Sequence, residues 1–367
     1  MKAIVAAKIE KLDALTGLRG VAALWVAAMH FSHEMYLLLP VTAGLNWLIG
    51  QGANAVPLFF ILSGFILLHT YRERFEVFSW AKYCEFIWLR LARIYPAYLA
   101  ALGLMVGLVV VSMFAGVAYS KEAYPLARLP WEALMLHRWW WTDFFGWNFP
   151  DWSISAEWFA YLFIFPLAVW LLKKLQSRAI GFSLVALLGL LVLEPAVRTE
   201  WKLPMVSLLF LAGAMVWELR RRLAALGKTL WAPSDLVAAL FLILVLWFER
   251  SFGSFVSASL FLVAVGWLIF SLSQKPGIAA KFLTWGPVLF LGEISYSIYL
   301  THGISQRVLK VALSAEKFAS ASLAVRIAVL LAYVFCLLAL SLALYFLVER
   351  PARHWLRRLK TMPSPSS

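Results

Sequence analysis

Apolar residues run through this chain in blocks of about twenty, separated by short polar connections, and that alternation predicts helices that cross a bilayer. Ten blocks stand out, near 15–39, 52–71, 88–116, 152–172, 178–195, 203–219, 230–249, 253–273, 286–310 and 323–348. In hydrocarbon every backbone polar group must be satisfied inside its own segment, so such blocks are helical. The expected fold class is all-α, a polytopic membrane protein with about ten transmembrane helices in one bundle. An even number of spans puts both termini on one side. Lysine and arginine favour that side roughly two to one, so both termini are expected in the cytoplasm. One domain is expected over 1–360, followed by a disordered tail over 361–367, where TMPSPSS ends the sequence.

Composition strengthens this picture. The 367 residues are 63% hydrophobic and 14% charged, with a mean hydropathy of +0.81; a soluble chain carries about 25% charge. A net charge of +14 would suit nucleic acid. The basic residues sit in the short connections, however, where membrane orientation accounts for them, so no nucleic-acid partner is expected. Cys84 and Cys336 lie in or beside apolar segments and form neither a disulfide framework nor a metal-ligand spacing. No metal and no permanently bound cofactor is expected. The first apolar block is too long for a signal peptide and is not followed by a small-residue cleavage site.

Charge inside an apolar block is costly and marks working residues. The first block, LTGLRGVAALWVAAMHF, holds Arg19 and His30. Eleven steps of roughly 100° return to within about 20°, so the two share a face, roughly 16 Å apart along the axis. They read as a lane from an aqueous surface to a buried reaction centre. His30 is the candidate general base; a structural hydrogen bond is the plainer role for a lone membrane histidine. His33 reads as an interfacial residue. Arg90 and Arg93, in RLARIYPAY, are either positive-inside anchors or, with Arg19, ligands for phosphate. Glu157, in WSISAEW, is placed to cap its helix, to orient or deprotonate an acceptor, or to pair with a buried cation. Trp152 and Ser153 precede it as candidate pocket residues. In GEISYSIYLTHG, Ser295, Tyr299 and His302 share a face, and Tyr296, Tyr299 and His302 are further pocket candidates. Ser63 and Gly64 read as a close helix contact. The outer loop over 117–151 carries the run HRWWWTDFFGWNFPDW, read as an interfacial aromatic belt, a platform for a sugar ring, or both.

Taken in order, LDALTGLRG, MHFSH, FFILSGF, RLARIYPAY, WSISAEW, GEISYSIYLTHG and VERPARHW resemble the acyltransferase-3 family of bacterial membrane O-acyltransferases, from Leu12 to Trp355. The most specific elements are the arginine and histidine with ten residues between them (Arg19, His30) and the Arg-x-x-Arg pair (Arg90, Arg93). The resemblance implies transfer of an acyl group, most often acetyl, from acyl-coenzyme A as co-substrate. The acceptor it implies is a hydroxyl of a sugar in a surface polysaccharide, a lipid-linked precursor or a similar molecule. It implies catalytic roles for His30, Arg19 and Glu157 and a donor site at Arg19, Arg90 and Arg93. The setting it implies is the bacterial cytoplasmic (inner) membrane, with membrane lipid, a carbohydrate or glycolipid acceptor and an extracytoplasmic enzyme as partners. Family members usually carry tryptophan before the second histidine, where this chain has Thr301. Intramembrane charge suits a transporter or flippase equally well, and a carrier handing acyl groups to a separate outer enzyme is a third reading.

Overall fold

The computed structural model describes residues 11–116, 124–140, 146–174, 202–227, 234–248, 254–274 and 277–361. The block at 178–195 lies outside the described residues, as do parts of the outer loop and residues 362–367. Among the described residues every regular element is a helix. The main ones are α1 (Asp13–His30), α2 (Ser32–Leu38), α3 (Ala55–Tyr71), α4 (Trp80–Phe114), α5 (Asp151–Lys174) and α6 (Lys202–Ala225). They continue with α7 (Ser234–Phe248), α8 (Ser254–Leu272), α9 (Gly286–Glu293), α10 (Ser295–Ala312), α11 (Leu323–Leu344) and α12 (Arg350–Thr361).

Among the described residues five helices are long and apolar enough to cross a membrane: Pro40–Tyr71, Trp80–Phe114, Asp151–Lys174, Lys202–Ala225 and Leu323–Leu359. A sixth span results if α1 and α2, bent by 65°, are taken together. The molecule is therefore an all-helical membrane protein. Large apolar side chains such as Val111, Leu331 and Phe335 stay exposed on its flanks, where lipid tails meet them. At 1.5 Å per residue the 35-residue α4 is about 52 Å long, more than a hydrocarbon layer of about 30 Å, so its ends leave that layer.

Two predicted spans are divided. The first bends directly after His30, and 286–310 breaks at Ile294 into α9 and α10. An apolar run specifies burial and not the direction of an axis, so neither break shows in the sequence. α10 is also too polar to face lipid. Ser295, Ser297, Thr301, His302 and Ser305 are all buried, because α10 is enclosed by other helices and its polar groups meet protein.

α1 packs along α9 and α10, α3 along α6, and α10 along α11. The α3–α6 contact depends on Gly64 and Gly213. Each lies against the opposite backbone, at the carbonyls of Phe210 and Ile61, where a Cβ would overlap. Two π-turns, Ala160–Ile164 within α5 and Tyr345–Glu349 between α11 and α12, insert an extra residue into the helix. Such turns re-aim polar side chains; here they carry Tyr161 and Glu349 inward.

Candidate active site

A cavity of about 270 Å³ lies among α1, α3, α4, α5 and α10. Arg19, Arg90, Arg93 and Glu157 all line it. Arg19 Nη2 donates to Ser295 Oγ at 3.1 Å, and that hydroxyl donates to the Gly292 carbonyl at 2.8 Å. Arg90 is buried, donates to the Tyr71 hydroxyl at 2.7 Å and lies 5.1 Å from the centre of the Tyr71 ring, a cation–π contact. Its Nε has no hydrogen-bond partner among the described residues. Arg93 makes no hydrogen bond or ion pair among the described residues. Glu157 Oε1 accepts from Ser63 Oγ at 2.9 Å and from the Tyr161 hydroxyl. Three guanidinium groups thus face one carboxylate in a confined space. Buried like charges are unfavourable until balanced, so the cavity is built to attract an anion.

A second cavity, about 550 Å³, is lined by His30, Asn54, Phe149, Trp152, Met205 and Tyr299, among others. His30 Nδ1 lies 2.9 Å from the Val26 carbonyl. A carbonyl only accepts, so Nδ1 carries the hydrogen and Nε2 keeps a lone pair. His302 repeats the arrangement: its Nδ1 lies 2.6 Å from the Tyr299 carbonyl, and its Nε2 has no hydrogen-bond partner among the described residues. The two imidazole rings are 5.0 Å apart. Phe149 packs 4.6 Å from His30 and 5.3 Å from His302. Gln306 Nε2 donates to the His30 carbonyl, which fixes the end of α1 where the chain bends.

The outer loop places Phe149. Asn148 Nδ2 donates at 2.9 Å both to Asp151 Oδ1 and to the Leu300 carbonyl on α10. Gly303 gives Asn148 and Phe149 the room to lie against that helix. Deeper in the loop, buried Glu132 accepts from the Trp147 backbone N–H at 2.6 Å, and its own carbonyl accepts from the Tyr98 hydroxyl. Burial pushes the Glu132 carboxyl up to about 8, against the opposing pull of the backbone donors from Trp147 and Asn148. Burial, reinforced by the Arg138 charge, drops His137 to about 3. Trp139 spends its indole N–H on the Ser155 carbonyl and packs edge-to-face with Phe159. Among the described tryptophans of this run, Trp152 lines the histidine cavity.

The predicted residues therefore divide between two rooms. Arg19, Arg90, Arg93, Ser153, Glu157, Tyr296 and Tyr299 line the first; His30, Trp152 and Tyr299 line the second, with His302 beside it. Arg19 and His30 do share a face of α1, since both meet α10. The expected open lane between them is interrupted, because they line different cavities. Glu157 stands with the arginines and not with the histidines. Thr301 bonds the Ser297 carbonyl and Ser341 Oγ, both at 2.8 Å, on the side toward α11, so the missing tryptophan shapes neither room. His33 is at the surface, 3.5 Å from Glu316. Tyr71, Tyr161 and Gln306 were not singled out from the sequence. Tyr161 follows Glu157 by four residues, a helical spacing that points to it; the partners of Tyr71 and Gln306 are on other elements and leave no local signal.

Fold and site together define a class: an all-helical membrane protein with an anion-attracting cavity beside a histidine-bearing one. The chain belongs to the acyltransferase-3 family, whose model, described as an acyltransferase domain, matches residues 12–348. It is similar to the acyltransferase MdmB of Streptomyces mycarofaciens, with 29% identity over 203 residues, 53% of this chain and 48% of the relative. It is also similar to protein 2 in the picA locus of Rhizobium radiobacter, with 37% identity over 97 residues, 26% of this chain and 44% of the relative. The chain thus spans just under half the length of the curated relatives it matches. No solved structure matches it.

Proposed function

We propose that this protein is a membrane O-acyltransferase that moves an acyl group, acetyl foremost, from acyl-coenzyme A to a hydroxyl of a sugar. The sugar belongs to a surface polysaccharide, a lipid-linked precursor or a comparable acceptor. The setting is a bacterial cytoplasmic membrane, with about ten spans and both termini in the cytoplasm. The observation that carries this reading is the pairing of rooms: three arginines against one glutamate in the first, and a histidine with a free Nε2 in the second.

In this mechanism Arg19, Arg90 and Arg93 hold phosphate oxygens of the donor, which guanidinium forks bind bidentately. Glu157, held by Ser63 and Tyr161, keeps the arginines from repelling one another. The thioester arm runs past Tyr296 and Tyr299 to His30. The acceptor lies across Trp152, its hydroxyl proton passes to His30 Nε2, and its oxygen bonds the acyl carbon. The carbon–sulfur bond breaks, and the thiolate recovers the proton from the imidazolium. General-base assistance of this kind contributes about 10²–10⁴-fold. The test is thiol release from acetyl-coenzyme A by purified protein, with a check on fold. His30→Gln is expected to lower transfer by about that factor, and a near-normal rate would exclude His30 as base. A transporter would act without any acyl donor. A bare carrier would consume thioester but leave sugars unmodified.

A further inference from the structure

The two cavities have two lining residues in common, Val56 and Tyr299. Val56 is a small aliphatic side chain. Tyr299 is large and fastened at both ends. Its hydroxyl lies 2.7 Å from Ser153 Oγ and 3.3 Å from the Pro150 carbonyl. Ser153 Oγ also lies 3.1 Å from the Pro150 carbonyl, so the two hydroxyls share one bond with each other and one with that carbonyl. The ring stands edge-on to Phe59 at 6.1 Å and lies 5.5 Å from His302. At the backbone, the Tyr299 carbonyl accepts the His302 Nδ1 hydrogen. An aromatic wall latched by a hydroxyl therefore separates the arginines from the histidines.

Resting on the acyl-coenzyme A reading above, we propose that Tyr299 is a positioning residue that partitions the donor room from the acceptor room. It keeps a thioester held by the arginines away from His30, which is half-buried and lines a cavity of its own. The chemistry makes such a wall necessary. An imidazole that deprotonates an alcohol deprotonates water equally well. Water would then attack the thioester: its oxygen bonds the acyl carbon, the carbon–sulfur bond breaks, and its proton travels through His30 to the thiolate. The products would be a free carboxylic acid and coenzyme A, and no acyl group would reach the acceptor. Keeping the reactive group apart from water is the established remedy for such losses in group transfer. The Ser153 bond holds the ring across the junction while the second cavity contains only water, and the arm displaces the ring once an acceptor fills that cavity.

The experiment measures thiol release from acetyl-coenzyme A, with no acceptor, by the full-length protein in lipid nanodiscs. Tyr299→Ala is expected to raise this hydrolysis about tenfold or more, and adding His30→Gln is expected to abolish the rise. Tyr299→Phe and Ser153→Ala, which keep the fold and remove only the latch, are expected to fall between Tyr299→Ala and the parent. A merely structural tyrosine would lower turnover generally and would not create His30-dependent hydrolysis. Coenzyme A that binds by calorimetry, with hydrolysis at the parent level in all three single variants, overturns the partition alone. Coenzyme A that fails to bind the parent overturns the functional reading and the partition with it.

Discussion

Arg90 and Arg93 stand about one turn apart on α4, yet their situations differ. Arg90 is buried, bonded to Tyr71 and stacked on its ring. Arg93 lines the same cavity with no hydrogen-bond or ion-pair partner among the described residues. Removing Arg90 therefore disturbs packing and charge together, whereas removing Arg93 removes charge alone. Arg93→Ala is expected to leave the melting temperature within a degree or two. It should raise KM for acetyl-coenzyme A about 10–100-fold, the worth of a charge-assisted hydrogen bond of about 1.5–3 kcal/mol. Arg93→Lys is expected to restore only part of this, because a point charge lacks the guanidinium fork. An unchanged KM would remove Arg93 from the donor site. At this scale the sequence was legible wherever the signal was local. Helical arithmetic put Arg19 and His30 on one face, and both meet α10. Arginine spacing flagged Arg90 and Arg93. What stayed hidden was contact across elements: Ser63 reads as a packing residue, and nothing nearby shows that its hydroxyl serves Glu157.

The elements owe their positions to a few close contacts. Gly213→Leu would drive a side chain into the Ile61 backbone and part α3 from α6. Overpacking of this kind costs about 1–3 kcal/mol, and the effect should reach the first cavity through Ser63, next to Gly64. The expected outcome is a lower melting temperature together with weaker coenzyme A binding. The outer loop supplies a second prediction. Glu132 keeps its proton up to about pH 8 in the folded protein, whereas in the unfolded chain it ionises near its ordinary 4.5. Between these values the unfolded state has lost a proton that the folded state retains. Stability from this group is therefore full below about pH 4.5 and is lost as pH rises through 8. Trp147, bonded to Glu132, should report the loosening as a shift in fluorescence near pH 8, and Glu132→Gln should remove that shift. Helix existence was legible from hydropathy. The bend after His30 and the break at Ile294 were not, since both depend on which neighbour encloses α2 and α10.

At the scale of the molecule, one helix ties the rooms together. α10 touches Arg19 through Ser295, the α4 backbone through Tyr296, the start of α5 through Tyr299, and His30 through His302 and Gln306. Through Ser297 it also holds Glu349 at 2.7 Å, where α11 passes into α12. Ser295 and Gln306 are eleven residues apart, about 16 Å along the axis, and substitutions that distant usually combine additively to within about 0.3–0.5 kcal/mol. Here both ends ride on a single rigid axle. A small roll of that axle changes grip on the donor and alignment of the base in the same stroke. A double-mutant cycle of Ser295→Ala and Gln306→Ala, scored on kcat/KM, should therefore show an interaction larger than that limit. Simple additivity would mean that each end keeps its own time.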